Sequence, residues 1–492
     1  MDYSQFLVMK QELAVLVVFL LVFLYDTFMP RGAGKALPVF TTVLLLLATA
    51  AGFCSQCLGS SCAAEAFAGM YATSPVISAI KNILNIGAVI VLIQSISWAG
   101  SDSMRIRRGE FYELLLVTLF GMYLMISARH FLLFVIGLEC ASLPLAAMVA
   151  FDKNRYESHE AAVKYILTAV FSSAVFMMGL SFVYALGGSL YFSDLYLTVA
   201  AGGTSLMLVL AIAFVIAGMG FKLSLVPFHL WTADVYQGAP TSVTSYLSVI
   251  SKGSAAFAFL VIMAQVFGTC YAHVWEWMLY AIIIVTITVG NLFAMRQNNM
   301  KRFLAFSSIS QAGYIMLGVI GFNTMSMAAM MYYILVYIFS NLAAFGVIGA
   351  IERATGKLDM SDYSGLSKTN PRLALCMMLA MFSLAGIPPF AGFFSKFFIF
   401  TGAINQGSVA IYVLVLIALI NTIISLYYYL LVVKAMYINP DEPVVLPFKS
   451  TCSERLGLWI TVAGILLLGI ASCVYTWLLD TSFVSNFAAY FM

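Results

Sequence analysis

The 492 residues are 63% hydrophobic, 9% are charged, and the net charge is +3. Soluble domains carry about a quarter charged residues. This composition therefore excludes an ordinary soluble globule, and the small net charge argues against a nucleic-acid partner. The chain reads as all-α and polytopic in a membrane.

A spanning helix needs about 20 apolar residues, and by that rule the chain holds about 14. The first is predicted over 12–28, with Glu12 at its interfacial start. It has no basic leader or small-residue cleavage site before it and reads as a retained helix rather than a signal peptide. Helices 2 and 3 follow over 36–58 and 75–97. Cys54, Cys57 and Cys62 near the end of helix 2 are spaced C-x2-C-x4-C. An iron–sulfur cluster needs four thiolates or equivalents, so these read as small apolar residues. A disulfide among them would need an oxidising compartment. His130, His159, His229 and His273 show no metal-ligand spacing, and no nucleotide or haem motif is present. No cofactor or metal is expected on this chain.

Helices 4 to 8 are predicted over 111–128, 130–150, 160–187, 203–225 and 240–267. Glu139 falls in the middle of helix 5, Lys222 near the end of helix 7, and Lys252 in the middle of helix 8 among small and hydroxyl residues. Helix 7 runs into Pro227 just after Lys222, which predicts a break. Lys164, near the start of helix 6, is placed to snorkel or to join a relay. His229 and Asp234, in the connection to helix 8, are candidates for a cytoplasmic intake of protons. Helices 9 to 14 are predicted over 273–294, 302–321, 325–351, 372–402, 408–437 and 455–480. Helix 12 carries Pro388 and Pro389 and then Lys396, a second predicted break beside a lysine. Tyr427, Tyr428 and Tyr429 in helix 13 read as packing or interface aromatics, one of whose hydroxyls could hold a relay water.

Basic residues cluster in the odd-to-even loops, except after helix 7. By the positive-inside rule those loops are cytoplasmic and both termini lie outside. Irregular backbone at membrane depth survives only when buried in protein or lining a wet cavity. Breaks in helices five apart point to two inverted five-helix repeats, because an odd count reverses direction. The expected sections are 1–110 (helices 1–3), 111–267 (first repeat), 268–437 (second repeat) and 438–492 (helix 14). Lys222 and Lys396 are the expected counterparts.

An ionisable group at mid-bilayer costs roughly 2.5–3.5 kcal/mol. Glu139, Lys222, Lys252 and Lys396 together cost about 10 kcal/mol or more on that scale, which is of the order of a whole fold's stability. Function must retain them, and proton movement is the simplest. A Glu139–Lys222 pair would hold the lysine charged, and its separation would let a proton pass to Lys252. The alternative is that these charges pair and cement helices.

The stretches GMGFKLSLVPFHLWTADVYQGAPTS (218–242), EAAVKYILTAVFSSA (160–174), NNMKRFLAFSSISQAGYIMLG (298–318), LAGIPPFAGFFSKFFIF (384–400) and SLYYYLLVVKAMY (425–437) resemble the subunit N family of respiratory complex I, the proton-translocating NADH:quinone oxidoreductase. The resemblance covers most of helices 4–13. It implies an antiporter-like fold of 14 helices, with Glu139, Lys222, Lys252 and Lys396 carrying the proton path. It also implies other membrane-arm subunits as partners, with flavin, iron–sulfur clusters and quinone on partner subunits, in a bacterial inner membrane. The M-type sibling typically has glutamate where Lys396 stands, and nothing after residue 480 could supply the L-type sibling's lateral helix. Gln311 stands where the family often has histidine and is expected to order water, and Ala233 replaces a proline. A multisubunit Na+/H+ antiporter, a membrane-bound hydrogenase and a structural membrane spacer are the competing readings.

Overall fold

The computed structural model describes residues 3–29, 36–57, 63–101, 104, 106–201, 205–268, 272–438, 442–471 and 473–480. Among them, 13 helices are long and apolar enough to cross a membrane. They are helix 1 (Lys10–Phe28), helix 2 (Leu37–Cys57), helix 3 (Pro75–Ala99), helix 4 (Arg108–Ser127), helix 5 (Phe131–Val149), helix 6 (Tyr156–Gly187) and helix 7 (Leu206–Leu223). Then follow helix 8 (Thr241–Phe267), helix 9 (Ala272–Ala294), helix 10 (Met300–Ile320), helix 11 (Thr324–Thr355), helix 13 (Val409–Tyr437) and helix 14 (Cys452–Ile470). The expected helix 12 is present as two halves, Pro371–Ala385 and Ala391–Ile404, of 15 and 14 residues. Neither half alone spans a bilayer. A hairpin of Ala64–Ala66 with Tyr71–Thr73 lies between helices 2 and 3. Helix 14 is shorter than expected and is followed by a separate turn of helix, Cys473–Leu479.

Both predicted breaks are real, and each has a local cause. The first half of helix 12 ends at Gly386, which takes a positive φ of 87° and closes the last turn onto the Phe382 and Ser383 carbonyls. Pro388 and Pro389 then supply no backbone donors. Helix 7 stops at Leu223, Ser224 is left-handed, and a short helix, Leu230–Gly238, starts only after Pro227. Aligning Pro227 with Pro389 aligns Leu223 with Ala385, the two helix ends. The same register sets Lys222 against Leu384 and Asp234 against Lys396. In that register the two expected counterparts do not coincide: Lys222 precedes its break and Lys396 follows its own.

Interhelical contacts divide the loops as the charge pattern does. Arg155 after helix 5, Lys301 at the start of helix 10 and Glu352 at the end of helix 11 meet at one end: Arg155 Nη1 and Lys301 Nζ lie 2.8 and 3.7 Å from Glu352. Arg353 pairs there with Glu454 at the start of helix 14. The opposite end joins the even-to-odd connections, with bridges Tyr71–Ala128 and His130–Tyr191. Helices 8 and 10 are buried throughout their apolar windows and helices 3 and 11 nearly so, whereas helices 1, 6 and 13 mostly face outward. Two short π-helical segments, Leu247–Ser251 and Met263–Phe267, interrupt helix 8. The first ends directly before Lys252, and such segments are frequent at functional sites.

Helices 4 and 5 cross on facing glycines, as small residues allow. A Cβ on Gly121 would lie 2.5 Å from the Ala141 nitrogen, and one on Gly137 would lie 2.6 Å from the Met125 nitrogen. Backbone cannot yield as a flexible side chain can. Gly121→Leu is expected to lower the membrane content of the chain several-fold, as read by quantitative immunoblot, whereas Leu132→Ala on the outward face of helix 5 leaves it unchanged.

Glu12 is a correction. It is 1% exposed rather than interfacial, and it forms an ion pair of 2.5 Å with Lys81 of helix 3, itself fully buried. Helix 1 turns that position inward, on the same face as Val15, Val18 and Val22. Cys54 is exposed and free, while the side chains of Cys57, Cys62 and His273 lie outside the described residues. No group of three or more metal-ligating side chains occurs among the described residues.

Candidate functional site

The expected Glu139–Lys222 ion pair is not formed. Lys222, in the last turn of helix 7, donates instead to the Ser142 hydroxyl, and to the Leu138 carbonyl at 3.4 Å. Both acceptors lie on helix 5 within a turn of Glu139, but they face helix 7. Glu139 sits on the flank between that face and the outward one marked by Ile136 and Leu143. Its Oε1 is buried without a hydrogen-bond partner. The carboxylate and the ammonium are neighbours, not partners.

Lys252 is 2% exposed. Its Nζ lies 2.5 Å from Ser308 Oγ of helix 10 and 5.4 Å from the centre of the Tyr236 ring. Lys396, in the second half of helix 12, reaches back across the break. It donates at 3.0 Å to each of the Leu384 and Ala385 carbonyls, the last of the first half. A cation at a helix C-terminus satisfies orphan carbonyls and opposes the helix dipole. The Tyr314 ring faces it at 5.3 Å. The break thus positions Lys396, and Lys396 in turn caps the break.

A chain of polar side chains runs between these two lysines. Ser307, next to the Lys252 partner Ser308, shares a 2.5 Å hydrogen bond with the Tyr429 hydroxyl. Gln311 Nε2 donates to Tyr429 at 3.2 Å and to the Leu384 carbonyl at 3.4 Å, the carbonyl that also holds Lys396. Tyr333 donates to Gln311 Oε1. Gln311 therefore does more than expected: it ties helix 10 to helices 11, 12 and 13. Tyr428, beside Tyr429, instead donates to Asn291 at 2.9 Å. Sequence reading missed Ser142, Ser307, Ser308 and Tyr333. The hydroxyl row Ser307-Ser308-Ser310 was the available signal, because hydroxyls clustered on a wholly buried helix need partners.

Among the described residues no hydrogen bond joins Lys222 to Lys252. The backbone between them carries three buried polar atoms without partners, Ser224 Oγ, His229 Nδ1 and Thr232 Oγ1. Groups of this kind can order water. Lys164 and Asp234 are brought together at 2.7 Å, and Arg302 of helix 10 binds the other Asp234 oxygen at 2.6 Å. Burial pushes the Asp234 carboxyl up, but these two cations outweigh it and hold it below the usual carboxylate range. Lys164 also pairs with Glu160 and is 42% exposed. Exposed pairs contribute about 1 kcal/mol at most. Lys164→Ala is accordingly expected to lower coupled turnover by less than about five-fold, and a larger loss would place Lys164 in the path itself.

Residues 128–425 match the family model for the membrane domain of NADH:quinone oxidoreductases and Mrp antiporters. The NADH-quinone oxidoreductase subunit N of Phocaeicola vulgatus is 52% identical over 485 residues, covering 98% of this chain and 100% of that one. A chain in the structure of respiratory complex I from Thermus thermophilus with bound aureothin matches with a TM-score of 0.78 at 30% identity, over 94% of this chain and 97% of that one. A chain of the Mrp complex from Dietzia shares the fold, with a TM-score of 0.84 at 19% identity over 100% of both chains. The side chains that cross this bundle are thus set in a shared antiporter-like fold, and the chain belongs to the subunit N family of NADH-quinone oxidoreductases.

Proposed function

We propose that the chain is a proton-translocating membrane-arm subunit of a complex I, and that quinone reduction on other subunits drives it. The observation that carries this reading is the buried line from Lys252 through Ser308/Ser307, Tyr429 and Gln311 to the Leu384 carbonyl and Lys396. Each lysine there rests on neutral oxygens and an aromatic face rather than on a carboxylate. Such an ammonium can give up its proton without leaving a counter-charge buried behind it. Lys222 and Glu139 differ: a change in helix packing that brings the Glu139 carboxylate to Lys222 holds the lysine charged, and one that parts them releases the proton. Water held by Ser224, His229 and Thr232 carries it towards Lys252. The Lys164–Asp234–Arg302 cluster borders this first intake.

In this reading the end bearing Arg155, Lys301 and Arg353 faces the bacterial cytoplasm and the termini face outside. Helices 4–8 and 9–13 are the two inverted repeats, flanked by helices 1–3 and helix 14. Flavin, iron–sulfur clusters and quinone reside on partner subunits. The competing reading, a subunit of a cation/proton antiporter, rests on a family model that both groups share and on the fold, whereas the 52% relative is named for NADH-quinone oxidoreductase. Extraction of the native complex in mild detergent tests the choice. Co-purification with flavin- and iron–sulfur-containing subunits and NADH:quinone activity is expected. A complex of membrane subunits without redox cofactors would overturn the assignment.

A further inference from the structure

One cavity among the described residues has no part in the path above. It measures about 230 Å³ and lies between helices 3, 8, 11 and 14, at the end where the basic loops gather. Water occupies about 30 Å³ per molecule in the liquid, so the space holds several waters. The Arg155–Glu352 and Arg353–Glu454 pairs line its rim. Its walls descend past Gly349 to Phe345 on helix 11 and to Ser245 on helix 8.

The next polar side chains inward on helices 8 and 11 close this end of the cavity as a floor. Ser248 lies one turn below Ser245, and Asn341 one turn below Phe345. Asn341 Nδ2 donates to Ser248 Oγ at 2.8 Å, and both residues are buried. Beneath the floor, Ser340 and Ser383 share a 2.7 Å hydrogen bond. Ser340 and Ser383 also line a small cavity together with Gln311 and Lys396. The polar side chains therefore step from a wet vestibule to Lys396 without passing Lys222 or Lys252. Asn341 and Ser340 are consecutive on helix 11, so the two hydrogen-bonded pairs are anchored at the same depth of that helix.

We propose that this cavity is a second proton intake, delivering to Lys396 through the Ser248–Asn341 floor and the Ser340–Ser383 pair. The inference rests on the relay reading of Lys396. When Lys396 has passed its proton onward, a hydronium in the vestibule releases a proton and becomes water. The proton moves over water beside the floor and the Ser383 hydroxyl, and an N–H bond forms on the neutral Lys396 amine. Asn341 carries no titratable proton and is a positioning residue, fixing the floor and the water. The ion pairs at the rim keep the mouth polar and hydrated, which the relay between Lys252 and Lys396 does not require.

A plug in the vestibule tests this. Gly349→Cys suits the purpose, because the added Cβ meets only the Thr241 side chain, at 3.3 Å. The assembled complex in inside-out vesicles is treated with a water-soluble cationic methanethiosulfonate. Reaction at residue 349, with a several-fold fall in NADH-driven proton uptake that a reducing agent reverses, is expected. The unsubstituted complex treated alike should keep its uptake. A thiol that does not react, or that reacts without changing uptake, would overturn the proposal. Ser242→Cys on the facing wall serves if the first variant does not assemble. Asn341→Val should lower uptake without any reagent. Lys396→Met is measured in parallel. If it abolishes uptake while the plugged complex pumps normally, the second intake is wrong and the relay stands. If neither change matters, the relay reading itself fails.

Discussion

Lys252→Met is expected to cut coupled NADH:quinone turnover by roughly a hundred-fold, the usual contribution of a positioned proton-transfer group, while the complex still assembles. The reason lies in the company Lys252 keeps. Its ammonium touches the Ser308 hydroxyl and the Tyr236 ring, and no ion pair to it exists among the described residues. Methionine matches its length and removes a buried charge, a change that is often neutral or stabilising when no opposite charge is stranded. Ser308 can still satisfy itself within its helix or with Tyr236. Blue-native analysis of the assembled complex, together with NADH oxidation and proton uptake in the same vesicles, reads both parts. Loss of assembly would mean that Lys252 is structural. Undiminished uptake would remove it from the path.

Lys81→Met should do the reverse. Lys81 is as deeply buried as Lys252, yet it sits 2.5 Å from Glu12, with the Tyr71 hydroxyl at 3.4 Å and Ser127 at 3.4 Å from the same Glu12 oxygen. Removing the lysine strands a carboxylate, which costs about 3–5 kcal/mol. That is a large share of a fold's stability. The expected result is a marked fall in thermal stability and in the yield of assembled complex. Adding Glu12→Gln to Lys81→Met should restore most of it, because both charges are then gone. A single variant as stable as the wild type would show that the pair does not hold helix 1 to helix 3. Two fully buried lysines thus have opposite expected phenotypes, and the difference is the presence or absence of a carboxylate in contact.

Much of this was legible in the residues. Hydropathy located the helices, including the one that is present only as two halves, and Pro227 and Pro389 marked both breaks. Interior cost alone singled out Glu139, Lys222, Lys252 and Lys396. What hydropathy could not supply was direction around a helix axis. Glu12 looked interfacial because it opens helix 1, but its azimuth faces Lys81. Glu139 and Ser142 are one turn apart on helix 5, and it is the serine that meets Lys222. The polar line was hidden for a related reason. Tyr333 and Tyr429 are ordinary residues for an apolar helix, and only the packing of helices 10, 11 and 13 brings their hydroxyls to Gln311 and to the serine row of helix 10. Neither π-helical segment of helix 8 leaves a composition signal.

In the proposed path protons move between Lys252 and Lys396 over the Ser308, Ser307 and Tyr429 hydroxyls and water ordered beside them, with Gln311 as a positioning residue that fixes the Tyr429 hydroxyl next to the Lys396 site. Tyr429→Phe isolates it, because one oxygen is removed while the ring keeps its contacts with Phe303 and Tyr428. The decisive measurement is NADH-driven proton uptake by vesicles carrying this variant, at matched complex content. Uptake and coupled turnover reduced several-fold or more, with assembly and thermal stability little changed, is the predicted result. Uptake equal to that of the unsubstituted complex would contradict the account.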